Sequence, residues 1–257
     1  MISTKSDIVN QLIRMSHWLG DETRGLAILG EGNTSAKSSE SSFYVKASGC
    51  QLGNITEEGL VEVDSLEVLK MLDGSVLTDS QIKNRLRQAT IDKNAPLLPS
   101  IEALFHAYLL TLPGVNFVGH THPISVLSIL CSKGWKEVTS GRVFPDEIIC
   151  CGNAPVHLEY TDPGVTLGRT IRDAVVEYIG DWGTRPKAIL MQNHGLIAIG
   201  STAKEVESIT AMWDKTAKVL MGTYHFGGPQ YMTTADVARI AGRPDELQRK
   251  RLIEGTE

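Results

Sequence analysis

Apolar residues fall at helical spacing (Ile8, Val9, Leu12, Ile13, Met15) within 7–19, and Gly20 ends that run. The pattern then shortens. Residues 26–29 are a brief apolar run entering the small polar loop Gly30-Glu31-Gly32-Asn33-Thr34-Ser35, which predicts a strand leading into a tight turn. Residues 43–46 and 61–64 read as two further strands, and 65–89 as a weak helical pattern broken at Asp73-Gly74. Pro99 and Ser100 precede a strong helix over 101–110. A buried strand is predicted over 115–118, then a helix over 124–130 with Pro123 at its first position. Residues 147–151 read as a strand, and a helix runs from Asp162-Pro163 to about 179. Two apolar runs, 187–192 and 196–199, flank Asn193-His194-Gly195 as a hairpin or kinked strand. A long amphipathic helix over 202–221 and two short helical stretches, from Thr234 and over 245–252, complete the chain. Strands and helices alternate without a repeat or linker, so the expectation is a single α/β domain.

Composition narrows the function. A net charge of −5 over 257 residues leaves no basic footprint for nucleic acid. No apolar run approaches membrane-spanning length, and the first ten residues lack a signal-peptide-like apolar stretch. The four cysteines (Cys50, Cys131, Cys150, Cys151) include an adjacent pair and no C-x-x-C, which suits neither a disulfide framework nor a cysteine zinc site. The expected setting is reduced and cytoplasmic.

The chemistry gathers around Gly119-His120-Thr121-His122-Pro123. Side chains alternate along a strand, so two histidines in H-x-H spacing share one side, where neutral imidazoles are able to hold a divalent metal. His194 supplies a third imidazole, and three nitrogens with an open position is the composition of a catalytic zinc site. Glu102 starts an otherwise apolar helix. It is either a helix-terminus carboxylate paired with His106 at i+4, or a general base or fourth metal ligand. As a base it calls for a pKa raised toward neutrality by apolar surroundings. Gly32, Asn33, Ser48, Gly49 and Ser100 are the small donors that bind anions at loops and helix starts. Lys46, nearby in sequence, reads as outward-pointing.

Together these motifs resemble the class II aldolase/adducin family: His-x-His at 120 and 122, a later His-Gly at 194, Pro99-Ser100-Ile101-Glu102 at a helix start, Gly32-Asn33-Thr34-Ser35, and Ser48-Gly49. The match covers about residues 8–222, in the family's order. The resemblance implies a three-layer α/β/α fold with a central, largely antiparallel sheet, formed by residues 1–222 with 223–257 as a helical extension. It implies Glu102, His120, His122 and His194 around Zn2+, or another divalent ion such as Mn2+ or Co2+, an anion pocket at the loop donors, and a C4 homotetramer with sites near subunit interfaces.

The activity implied is that of an aldolase, a lyase that cleaves or forms a carbon–carbon bond in a hydroxy-ketone, a sugar or sugar phosphate, through a metal-stabilised enediolate. A decarboxylase or epimerase would use the same intermediate, and an adducin-head-like interaction module would use none of these groups. Two departures stand out. Ile101 replaces a serine that donates to the anion, and its branched side chain is expected to fill that space. No tyrosine lies between His122 and Cys151 to protonate the leaving aldehyde, which leaves Asp146, Tyr224 or Tyr231 as the acid.

Overall fold

Thr4 opens the first helix with a reciprocal capping box: its hydroxyl accepts from the Asp7 N–H, and the Asp7 carboxylate accepts from Thr4. From there the computed structural model describes residues 4–75 and 77–255. Residues 1–3, within the first ten residues read for a signal peptide, residue 76, within the broken helical stretch, and residues 256–257, at the end of the expected helical extension, lie outside the described residues. In chain order the elements are α1 (Lys5–Leu19), β1 (Asn33–Lys37), β2 (Ser42–Lys46), β3 (Leu60–Asp64), α2 (Ser65–Asp73), α3 (Asp79–Ala89), α4 (Ala103–Leu109), β4 (Phe117–Thr121), α5 (Ile124–Leu130), α6 (Trp135–Ser140), α7 (Pro145–Cys151), β5 (Val156–Leu158), α8 (Val165–Trp182), β6 (Ala188–Met191), β7 (Gly195–Gly200), α9 (Ala203–Thr223), α10 (Thr234–Ala241) and α11 (Pro244–Glu254).

Among the described residues the strands form one seven-stranded sheet in the order β3-β2-β1-β4-β7-β6-β5. Every pairing is antiparallel except β5 with β6. Both faces are covered, which is why central strands such as β4, β6 and β7 are buried along their whole length. Val45, Val63, Val118, Ile189 and Ile197 enter one core with α2, α3, α4 and α8. Their neighbours Phe117, Ala188, Leu190, Leu196 and Ala198 enter a second core with α1, α5 and α9. The fold is the expected α/β/α arrangement with a mostly antiparallel sheet. The last two helices pack on α7 and α9, and no helix among the described residues is long and apolar enough to cross a membrane.

Four expectations need correction. The 26–29 run is not a strand: Leu29 takes a left-handed conformation (φ 52°), and the Ile28 N–H donates to Glu31 Oε1 at 2.7 Å instead of to a neighbouring strand. The strand begins later, at the polar Asn33, because both faces of β1 meet packed side chains. Residues 147–151 form most of the helix α7, with Pro145 in its first turn alongside Asp146 and Glu147. A short, fully buried apolar run carries no period that separates helix from strand. The strand placed at 115–118 lies instead at Phe117–Thr121, with His120 inside it, and Pro123 is the N-cap of α5 rather than its first residue.

Candidate metal centre

The register of the sheet builds the centre. On β1, Asn33 pairs directly with His120 of β4, and Ser35 with Val118. Directly opposed residues share a face, so Asn33, Ser35 and His120 all point toward the layer that holds α4. His122 continues the alternation just past β4, and its N–H donates to the Leu26 carbonyl at 2.9 Å. His194 arrives from the β6–β7 turn, where Asn193 adopts a left-handed conformation (φ 52°).

The three imidazoles converge, with one ligand nitrogen from each and all three within 4.8 Å of one another. Gly195 makes this possible. A Cβ there would stand 2.6 Å from the Thr121 carbonyl oxygen and 2.8 Å from His122 Cδ2. Gly32 serves the same end on β1's side: its φ is +70°, and a Cβ would meet the His120 carbonyl oxygen at 2.7 Å.

Whether this group fits a divalent metal is decided by its outward nitrogens. His120 Nδ1 lies 3.0 Å from the Leu196 carbonyl oxygen, and His122 Nδ1 lies 3.0 Å from Glu31 Oε2. Both partners only accept, so each Nδ1 carries the proton and each Nε2 presents a lone pair. Those two lone pairs face each other across 3.0 Å. On a tetrahedral zinc with Zn–N bonds of about 2.0–2.1 Å, two ligand nitrogens stand about 3.3 Å apart. The donor set fits a divalent cation.

Glu102 lies against this group, with Oε1 3.2 Å from His194 Nε2 and 3.7 Å from His120 Nε2. Its other oxygen, Oε2, accepts a hydrogen bond from Asn33 Nδ2. Burial pushes the carboxyl up, but His120, His194 and His106 outweigh it and hold the group well below the ordinary carboxylate range. This reverses the expectation of a raised pKa, because the neighbours of Glu102 are imidazoles and an amide rather than apolar side chains. Burial depresses His120 and His106 to about 3, and it lowers His122 against the opposing pull of Glu31. At neutral pH the carboxylate stands beside neutral rings at His106, His120 and His122.

The anion donors also converge. Ala47 bridges to Pro99, the Ser48 N–H donates to the Leu98 carbonyl, and the Ser100 N–H donates to the Lys46 carbonyl. The Ser48-Gly49 loop therefore lies beside the 99–102 segment. Ser48 and Gly49 are exposed, while Ser100 Oγ accepts from the Glu102 N–H at 3.3 Å. Two readings around this pocket change. Ile101 packs half-buried against the core, with its Cδ1 and that of Ile82 both beside Gly164, rather than standing free among the donors. Lys46 points inward: it is 3% exposed, and its ammonium donates to the Cys50 carbonyl oxygen at 2.7 Å, with the Gly30 oxygen 3.5 Å away.

The three candidate acids are not brought to the imidazoles within this chain. Asp146 faces Arg249 at 2.7 Å and Lys215 at 3.8 Å. Tyr231 packs on Gly141 and donates to the Val138 carbonyl. Tyr224 is solvent-exposed. Sequence reasoning missed Glu31 as the partner of His122. The available signal was a carboxylate set between two glycines at the mouth of the Asn33 loop. It also missed Ser35 as the partner of His106 (2.6 Å).

The chain is similar to several known proteins. A protein from Bacillus subtilis named as the uncharacterized oxidoreductase YuxG is 28% identical over 204 residues, 76% of this chain, which spans only 27% of that protein's length. The 3-oxo-tetronate 4-phosphate decarboxylase of Haemophilus influenzae is 24% identical over 222 residues, covering 86% of this chain and 90% of the enzyme. The crystal structure of YgbL from Escherichia coli, described as a putative aldolase/epimerase/decarboxylase, superposes with a TM-score of 0.67 at 20% identity, over 93% of this chain and 99% of that one. The family model for the class II aldolase and adducin N-terminal domain matches residues 10–221, from within α1 to within α9, and the chain belongs to that family.

Proposed function

We propose that the chain is a divalent-metal-dependent lyase of the aldolase type, acting on a small hydroxy-ketone, a sugar or sugar phosphate. The observation that carries this reading is the position of Glu102: an ionised carboxylate with one oxygen turned to His120 and His194, two of the three converging imidazoles, and the other held by Asn33. An interaction module has no use for that constellation. A divalent ion, with zinc as our assignment, would be held by His120, His122 and His194 with Glu102 beside them, and would supply Lewis acidity at the substrate's carbonyl and hydroxyl oxygens.

The protein's own groups do the rest. Glu102 rests ionised, the state required to take a proton from the carbon beside the carbonyl. Asn33 steadies the carboxylate. Loop donors at Gly32, Ser48, Gly49 and Ser100 receive the substrate's anionic end. The acid that serves the departing fragment is supplied across a subunit interface, because Asp146, Tyr224 and Tyr231 stand away from the imidazoles of their own chain. We accordingly infer a homotetramer in which Ile28, Leu29 and Ile124, exposed beside the centre at 41%, 68% and 63%, meet a neighbouring subunit. The four thiols are free, which suits a reducing, cytoplasmic setting.

Decarboxylation through the same proton-transfer site is the second reading, favoured by the near full-length match to a decarboxylase. The deciding experiment pairs metal analysis with Glu102→Gln. Wild-type protein is expected to hold one divalent ion per chain and to exchange the substrate's α-proton in deuterated water. The Gln variant is expected to keep the ion and lose exchange by roughly a hundredfold or more. Protein without metal, or exchange undiminished in the variant, overturns the reading. Release of carbon dioxide rather than an aldehyde selects the decarboxylase.

A further inference from the structure

Behind Glu102 lies a buried hydrogen-bond chain. Glu102 and His106 sit one helical turn apart at the start of α4, and Asn33 and Ser35 alternate on the facing side of β1. Ser35 Oγ lies 2.6 Å from His106 Nδ1, His106 Nε2 bonds to Asn33 Oδ1, and Asn33 Nδ2 bonds to Glu102 Oε2. Ser35 and His106 are fully buried and Asn33 is 2% exposed, so solvent has no part in the chain.

Its direction is forced from one end. An ionised carboxylate only accepts, so Asn33 must turn its NH2 to Glu102 and its carbonyl to His106. That carbonyl only accepts, so the proton of the neutral ring is on Nε2. Nδ1 then takes the Ser35 hydroxyl proton. One tautomer and one amide orientation satisfy every group.

We propose that His106 is a positioning residue for Glu102, acting through Asn33, with Ser35 locking its tautomer. The chain anchors Oε2 and leaves Oε1 facing His120 and His194. When substrate takes its place at the centre, the carboxylate has a fixed pivot rather than free rotation. Asn33 is thereby more than an anion donor: one amide N–H and its carbonyl are committed inside the protein, and only the second N–H is left for a ligand.

This inference rests on the reading of Glu102 as the proton-moving group, so its test includes a readout that needs no turnover. In the full-length, 15N-histidine-labelled protein, His106 is expected to show the Nε2–H tautomer at pH 7. Ser35→Ala, which keeps the ring but removes the donor to Nδ1, is expected to give a mixture of tautomers. In the metal-loaded enzyme, His106→Leu is expected to lower kcat about 10- to 100-fold, with KM within about twofold and metal content unchanged. His106→Gln, whose amide N–H reaches the place of Nε2–H, is expected to return kcat to within about threefold of wild type. If His106→Leu does not fold, the Ser35→Ala tautomer measurement and the Gln variant's kinetics decide alone. An Nδ1–H or doubly protonated ring in the wild type, an unchanged tautomer in Ser35→Ala, or a folded Gln variant with kcat depressed as far as the Leu variant's or below a tenth of wild type overturns the proposal. If no lyase activity is found at all, the tautomer measurements still stand, so the two failures are distinct.

Discussion

Glu31 is the residue whose removal tests the centre most directly without touching a ligand. Its Oε2 orients His122 while Oε1 receives the Ile28 N–H. Partners of this kind typically account for 10- to 100-fold in metal affinity, and Glu31→Ala is expected to weaken binding by about that factor in competition with a chromophoric chelator. Unchanged affinity removes Glu31 from the role. Gly195→Ala is expected to reduce bound metal well below one ion per chain by elemental analysis, since the new methyl meets the Thr121 carbonyl and the His122 ring. The imidazoles, Glu102 and the loop donors were legible in sequence because their types and spacing carry chemistry. The Ser35–His106–Asn33 chain was not, although both halves were in view: an Asn-x-Ser alternation and a Glu-x-x-x-His turn. Nothing in either periodicity tells which strand faces which helix, and that pairing decides which groups hold Glu102 Oε2.

Helix α7 shows the same limit one level up. Its apolar run of Ile148, Ile149, Cys150 and Cys151 is buried on all sides, so it has no amphipathic signature. What distinguished it was Pro145 followed by two acidic residues, a helix start. Its neighbours with open faces, α1, α8 and α9, were legible as helices, and so was the β6–β7 hairpin between its two apolar runs. Asn33–Lys37 was passed over because a strand of small polar residues does not look like one until both faces are known to be packed. The α7 segment is tied at both ends by a buried ion pair. Arg142 donates to Glu147 Oε1 and to the Gly152 carbonyl, and the Val143 N–H donates to Glu147 Oε2. Both side chains are 1% exposed. Glu147→Ala strands the guanidinium and is expected to cost about 3–5 kcal/mol in urea unfolding. The double change Arg142→Met, Glu147→Leu is expected to recover most of that loss. A cost below about 1 kcal/mol for the single change is inconsistent with a pair this deeply buried.

At the scale of the whole molecule, the buried rings make folding sensitive to acid. His106 and His120 are depressed to about 3, and His157 to about 4, each chiefly by burial. In the unfolded chain they titrate near 6.5, so the unfolded state binds more protons and stability rises with pH across that window. Metal-stripped protein is therefore expected to lose stability as pH falls from 6.5 toward 4, by up to about 1.4 kcal/mol per pH unit for each ring. Below about 4.5 the low-lying Glu102 adds a loss of the same sign. Urea midpoints at pH 7.5, 6.5 and 5.5 measure the first effect, and a flat profile contradicts it. For the proposed tetramer, wild-type protein is expected to scatter light as four chains and Leu29→Asp as one, and a tetramer left intact by that charge places the interface elsewhere. Fold class was legible early because strands and helices alternate along the chain, whereas strand order depends on pairings between distant segments. Those same distances bear on biosynthesis. The sheet seats His120 against Leu196 and Ile197 of β7, and His194 leaves the ribosome long after the His-x-His pair. A nascent chain thus offers a passing ion two loose imidazoles and no cage. Metal loading at the proposed centre would then be a late event, reserved for chains that have closed β7 onto β4, and an occupied centre would mark a finished molecule.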